Sequence, residues 1–175
     1  MNSYYSSNNP CYAPDCQTTL ENGSLISVGD LKKGMRVLTE KGVATIKLVV
    51  VSRIKNHETL MCHFDTGLKI TPYHPIKLNG SWTYPCKVVE PTPTRIPVVI
   101  SVVLDKHHLL TVDNIVTVTL GHDLTDPIVS HSFFGSSQVM EQLQHHPTFE
   151  SGTVILPEEA IERDPNTNMV IGFRF

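Results

Sequence analysis

Turn signals recur about every eight to twelve residues along most of this chain, and that spacing limits what it can fold into. Asn22-Gly23, Lys41-Gly42, Thr66-Gly67, Asn79-Gly80 and Asp113-Asn114 each interrupt a short extended run. Residues 35–39, 60–64, 98–104, 109–112 and 116–120 are rich in Val, Ile, Leu and Thr, the side chains that suit a pleated surface. Residues 46–51 are almost wholly apolar, as expected of a strand buried on both faces. Asn-Gly between extended runs is a strong hairpin signal, and it predicts hairpins at 18–27 and 77–84. A one-turn segment is expected near Val28, stopped by Gly34. Pro91, Pro93 and Pro97 mark residues 90–97 as a loop. One short helix is expected near 136–144, opened by Ser136 and striped by Val139, Met140 and Leu143. Residues 153–156 and 169–173 read as two last strands around the turn at 164–168. The expectation is an all-β domain.

The chain has 175 residues, enough to bury a core without disulfide staples. A polar, turn-prone lead-in over 1–10 precedes one domain over 11–175, with its core at about 11–123 and a C-terminal extension over 124–175. The net charge of −3 argues against a nucleic acid or an anionic membrane as partner. The start lacks the basic and apolar regions of a signal peptide, and no apolar run has the length of a membrane helix. The default expectation is a cytoplasmic monomer. The four cysteines, Cys11, Cys16, Cys62 and Cys86, include no C-x-x-C pair. Cys62, His63 and Cys86, with another group, are the one set that could gather around a metal, against the simpler reading of buried structural thiols; no cofactor is expected.

One stretch carries chemistry. In Thr71-Pro72-Tyr73-His74-Pro75 the two prolines push Thr71 and His74 towards extended geometry, so a stiff corner presents a hydroxyl and an imidazole. Alone this is a proline-rich turn with an incidental histidine. Cys11 upstream changes the reading, because cysteine, histidine and a hydroxyl are the parts of a nucleophilic acyl-transfer site.

These residues resemble the Hint superfamily of inteins, intein-like domains and the Hedgehog autoprocessing domain. Cys11-x-x-x-Asp15, then Ile26-x-x-Gly29-x-Leu31-x-x-Gly34-x-x-Val37, is similar to the opening block of that superfamily. Thr71-x-x-His74 resembles its second block. Residues 102–108, with His107 and His108, followed by Val112-x-Asn114, resemble the block near the end. Thr71-Pro-Tyr-His-Pro-Ile, Trp82-x-Tyr-Pro-Cys86, Val118-Thr-Leu-Gly-His122 and Phe133-Phe-Gly135 look like the intein-like domain of von Willebrand factor A domain proteins, and Glu162-Arg-Asp-Pro165 fits too. The resemblance implies a compact, horseshoe-shaped all-β fold with pseudo-two-fold strand pairing. It also implies self-processing at the cysteine, with an upstream polypeptide in cis, such as a von Willebrand factor A domain, as partner.

The implied site is Cys11, Thr71, His74, His107, His122 and Asp123. In an N-to-S acyl shift the Cys11 sulfur attacks the Pro10 carbonyl carbon, His74 protonates the leaving nitrogen, and Thr71 binds the amide or the developing oxyanion. Asp15 and Asp123 are candidates for orienting a histidine. Inteins end in His-Asn, whose asparagine cyclises; here Asp123 follows His122 and the chain runs on. N-terminal cleavage is therefore expected rather than full splicing. Cys16 reads as structural, although a Cys11–Cys16 disulfide would silence the nucleophile. Two other functions compete: a Hint module whose chemistry has decayed to a structural or interaction role, and a metal-binding β domain.

Overall fold

A computed structural model describes residues 10–175. The lead-in expected over 1–10 therefore lies outside the described residues, except for Pro10. In chain order the elements are β1 (Gln17–Thr19), β2 (Leu25–Ser27), β3 (Arg36–Thr39), β4 (Gly42–Arg53), β5 (Glu58–His63), β6 (Lys69–Ile70), β7 (Ile76–Leu78) and β8 (Ser81–Thr83). Then come β9 (Thr92–Arg95), β10 (Val98–Leu104), β11 (Leu109–Val112), β12 (Ile115–Val118), helix α1 (Ser137–Leu143), β13 (Thr153–Leu156), β14 (Ile161–Arg163) and β15 (Val170–Phe173). The fold is mostly β, in small open sheets, as the turn spacing predicts.

Both Asn-Gly hairpins form, β1–β2 and β7–β8. At the second, Asn79 (φ 51°) and Gly80 (φ 79°) both take the left-handed conformation that a two-residue hairpin turn requires. The single turn at Val28–Asp30 is a 3-10 segment. Helix α1 begins where expected, its first turn capped by the Ser136 hydroxyl accepting from the Gln138 amide.

β4 is the organising strand. It pairs antiparallel with β3 and β10, and parallel with β13. Val49 faces one buried cluster, with Ile46, Val102, Ile100 and Leu110. Leu48 and Val50 face a second, with Phe133, Phe134, Val139, Leu143, Val154 and Phe173. That two-sided burial is why residues 46–51 are nearly all apolar. The stretch after Asp123 supplies most of the second cluster, so it completes the sheet rather than trailing from it.

Two expectations are corrected. Residues 92–95 form a strand, β9, pairing with β5 (Leu60 opposite Pro93) inside the stretch read as a loop. β9 is an edge of its sheet, where a proline lacking an N–H is tolerated. Both last strands form, but the turn at 164–168 joins the second of them to an intervening strand rather than to residues 153–156. β13 joins β4 in parallel, and β15 pairs with β14, a short strand that its charged residues Glu162 and Arg163 obscure.

Candidate active site

Cys11 and Tyr12 enter the body of the domain as an irregular strand threaded between β6 and β10. The Tyr12 amide donates to the Ile100 carbonyl (2.8 Å) and the Ile100 amide donates back to Tyr12 (2.9 Å). On the other side the Ala13 amide donates to the Lys69 carbonyl (2.9 Å) and the Thr71 amide to the Cys11 carbonyl (3.0 Å). Pro10 is buried and Cys11 and Tyr12 are 0% exposed, so the Pro10–Cys11 bond lies wholly inside the protein.

Each atom of that bond has a neighbour. The Cys11 amide nitrogen donates to the Thr71 hydroxyl at 2.9 Å. The Cys11 sulfur lies 3.0 Å from the Ser101 hydroxyl oxygen. Ser101 in turn donates to the Pro10 carbonyl oxygen at 2.5 Å. Since that bond uses the Ser101 proton, the thiol is the donor in the first contact. The Ser52 hydroxyl also interacts with the thiol. The Cys11 sulfur, the Pro10 carbonyl and the Cys11 amide nitrogen are thus all held by side chains from elsewhere in the chain.

His74 lies beside Cys11, whose main chain acts on its ring. Its Nε2 donates to the Val118 carbonyl at 2.7 Å, which leaves Nδ1 as the lone-pair nitrogen. Nδ1 is buried with no hydrogen-bond partner among the described residues. Tyr12 packs on the imidazole, ring centroids 4.5 Å apart, and its hydroxyl is bonded to Thr117. Burial pulls the His74 pKa down to about 4, opposed by the main chains of Val118 and Cys11 and reinforced by His122. Burial pushes the Cys11 thiol up to about 12, and the Ser101 and Ser52 hydroxyls offset only part of this. At neutral pH both groups are uncharged.

His122 is 4% exposed. Its Nδ1 accepts from the Leu124 amide at 2.8 Å, and its buried Nε2 has no hydrogen-bond partner among the described residues. Burial lowers its pKa to about 4, against the Val129 main chain and the Asp123 charge. Asp123 is exposed, in the left-handed region (φ 56°), and its charge bears on His122 and His108. His107 stands in the β10–β11 turn (φ 66°), its Nε2 beside Gly42 on β4. The structure thus brings Cys11, Thr71 and His74 together, sets His122 near His74, leaves Asp123 exposed beside His122, and puts His107 at a different turn.

Other candidates have plain roles. Asp15 is exposed and paired with Lys69 (2.5 Å). Cys16 is a free thiol wedged between the Lys69 carbonyl (3.4 Å) and amide (3.3 Å). Cys62 and His63 are adjacent in β5, so their side chains point to opposite faces: Cys62 donates to the Val89 carbonyl, and His63 bonds Thr94. Among the described residues no cluster of three or more ligating side chains could hold a metal. Nor, among them, is any helix long and apolar enough to cross a membrane. Ser101 and Tyr12 were not singled out from the sequence. The one available signal for Ser101 was a lone hydroxyl inside the apolar run of β10.

A buried cysteine whose amide and carbonyl are gripped by a T-x-x-H corner and a neighbouring strand, in a mostly β frame, defines a Hint-type domain. The chain belongs to the Vint family, described as a Hint-domain, whose model matches residues 10–172. Solved structures agree on the fold. The gp41-1 intein superposes with a TM-score of 0.50 at 12% identity, covering 64% of this chain and 100% of its own. A DnaB intein from Synechocystis sp. PCC 6803 does so with a TM-score of 0.50 at 15% identity, covering 63% and 99%. The bacterial intein-like domain from Clostridium thermocellum reaches 0.50 at 18% identity, covering 65% and 99%. No curated protein matches the chain.

Proposed function

We propose that this domain activates the Pro10–Cys11 peptide bond by an N-to-S acyl shift and releases the upstream polypeptide through a thioester. The observation that carries this reading is the linear chain from the Cys11 thiol through the Ser101 hydroxyl to the Pro10 carbonyl oxygen. As sulfur attacks the carbonyl carbon, the thiol proton passes to Ser101 while the Ser101 proton passes to the carbonyl oxygen. No free thiolate is needed, which suits a buried thiol with a pKa of about 12. The tetrahedral carbon then expels the Cys11 nitrogen, which must gain a proton. Thr71 already touches that nitrogen and orients it. His74, a buried neutral imidazole beside the Cys11 main chain, is the group proposed to carry the proton in transit. The hydroxyl proton on the former carbonyl oxygen balances the one delivered, so the products are a neutral thioester and a neutral amine.

Asp123 after His122 supports cleavage rather than splicing, because an ionised aspartate cyclises far less readily than an asparagine. The upstream partner in cis, on the resemblance of the T-P-Y-H-P-I corner and the residues around Trp82, is a von Willebrand factor A domain. Hydroxylamine cleaves thioesters and spares amides at neutral pH. A polypeptide fused before Cys11 should be released by hydroxylamine with a hydroxamate on Pro10. An intact fusion would favour the decayed, structural reading.

A further inference from the structure

A cleft of about 620 Å³ lies between β4 and β10 on one side and the C-terminal residues 156–174 on the other. Its volume is that of a small-molecule site. Two of its wall residues, Ser52 and Thr71, are the same side chains that touch the Cys11 thiol and amide. The cleft therefore ends one side chain away from the reacting sulfur.

The charge of the cleft runs against that of the chain. The protein is net −3, yet the cleft is lined by four cationic side chains and two anionic ones. Lys55 and Glu159 neutralise each other at 2.7 Å on its rim. Glu58 is the remaining acid. Against it stand Arg53 from the end of β4, Arg163 from β14 and Arg174 just beyond β15. Three arginines from three segments meet in one concavity, where low-dielectric walls focus their field.

A thioester is an activated acyl group that needs a second nucleophile to leave the enzyme. Resting on the acyl-shift reading, we propose that this cleft is the acceptor site and that it selects a small anionic thiol, one carrying a carboxylate or sulfonate. The arginines raise its local concentration and favour its thiolate, which is the attacking form. The thiolate adds to the Pro10 thioester carbonyl and the Cys11–carbon bond breaks. Cys11 regains its thiol with the proton the acceptor gave up, and the upstream chain departs as the thioester of the acceptor.

The test uses the full chain with a fused upstream polypeptide and three thiols: 2-mercaptoethanesulfonate, dithiothreitol and cysteamine. Release is followed by mass spectrometry at equal thiolate concentration. The sulfonate should release the fusion at least tenfold faster than cysteamine at low salt, and the ratio should shrink as salt rises. Arg53→Glu/Arg174→Glu should lower that ratio, whereas Arg53→Lys/Arg174→Lys should keep most of it. Thermal unfolding confirms that both variants are folded. Release by all three thiols at one rate, or a ratio insensitive to both salt and charge reversal, overturns the acceptor site alone. A fusion that no thiol releases overturns the acyl shift and, with it, this inference.

Discussion

The Cys11 sulfur and the Ser101 hydroxyl oxygen stand 3.0 Å apart, and Ser101 donates onward to the carbonyl of the residue before the cysteine. One serine therefore links the thiol to the carbonyl that the proposed acyl shift attacks. Removing a donor aimed at a developing oxyanion costs about 100-fold or more in rate. Ser101→Ala should slow thiol-induced release by about that factor, and Ser101→Thr, which keeps the hydroxyl, should recover part of it. The check is a time course of fusion release for both variants beside the parent. An unchanged rate in Ser101→Ala would remove Ser101 from the reaction.

Acid should unfold this domain through its buried histidines. The His74 and His122 pKa values are lowered to about 4 in the folded protein, from about 6.5 in an unfolded chain. The unfolded state thus binds protons first as pH falls. The stability these neutral rings contribute is fully present above about pH 6.5, and it is lost as pH drops towards 4. His74 alone accounts for about 3 kcal/mol across that window. Urea midpoints measured from pH 7.5 to 4.5 should fall, and His122→Gln should flatten the fall. A midpoint that does not move between pH 6.5 and 4.5 would contradict the burial of both rings.

Cysteine reactivity should follow exposure and thiolate character. Cys11 and Cys16 are buried and raised to about 12. Cys62 is buried and raised to about 12 as well, whereas Cys86 is partly exposed. Under native conditions a brief pulse of iodoacetamide should modify Cys86 first, and denaturant should open the other three. Peptide mapping by mass spectrometry reads the order. Rapid native labelling of Cys11 would mean that the site opens to solvent.

Gly135 is pinned by the histidines around it. A Cβ there would meet the His131 amide nitrogen at 2.9 Å, its carbonyl at 3.0 Å and the His122 ring at 3.1 Å. The Asp123 amide also donates to the Gly135 carbonyl at 2.8 Å, so a shift of Gly135 moves the His122–Asp123 segment. Gly135→Ala should destabilise the domain by about 1–3 kcal/mol. Chemical denaturation measures it; a stability unchanged within error would contradict this packing.

Much of this arrangement was legible in the sequence because local chemistry determined it. Asn79-Gly80 could do little but turn, and the apolar run in β4 announced burial on both faces. The prolines around His74 predicted a stiff corner, and the corner forms, with the His74 amide donating to the Thr71 carbonyl at 3.2 Å. What was not legible depended on pairing across long separations. Nothing local tells Thr153–Leu156 to join β4 in parallel, or Pro93 to sit on an edge strand rather than in a loop. Ser101 reads as one polar residue in an apolar strand until the chain brings Pro10 and Cys11 beside it, some ninety positions away along the sequence. Tyr12 was hidden for the same reason, since its partners Thr117 and His74 lie far along the chain.

The central claim is that Cys11 takes the Pro10 acyl group under the hand of His74. Its most direct measurement is intact mass and gel analysis of an upstream fusion, with and without dithiothreitol, beside Cys11→Ala and His74→Ala. The expected result is thiol-dependent release of the upstream piece in the parent and its loss in both variants. A parent fusion that stays whole under every condition, or release that persists without Cys11, would contradict it.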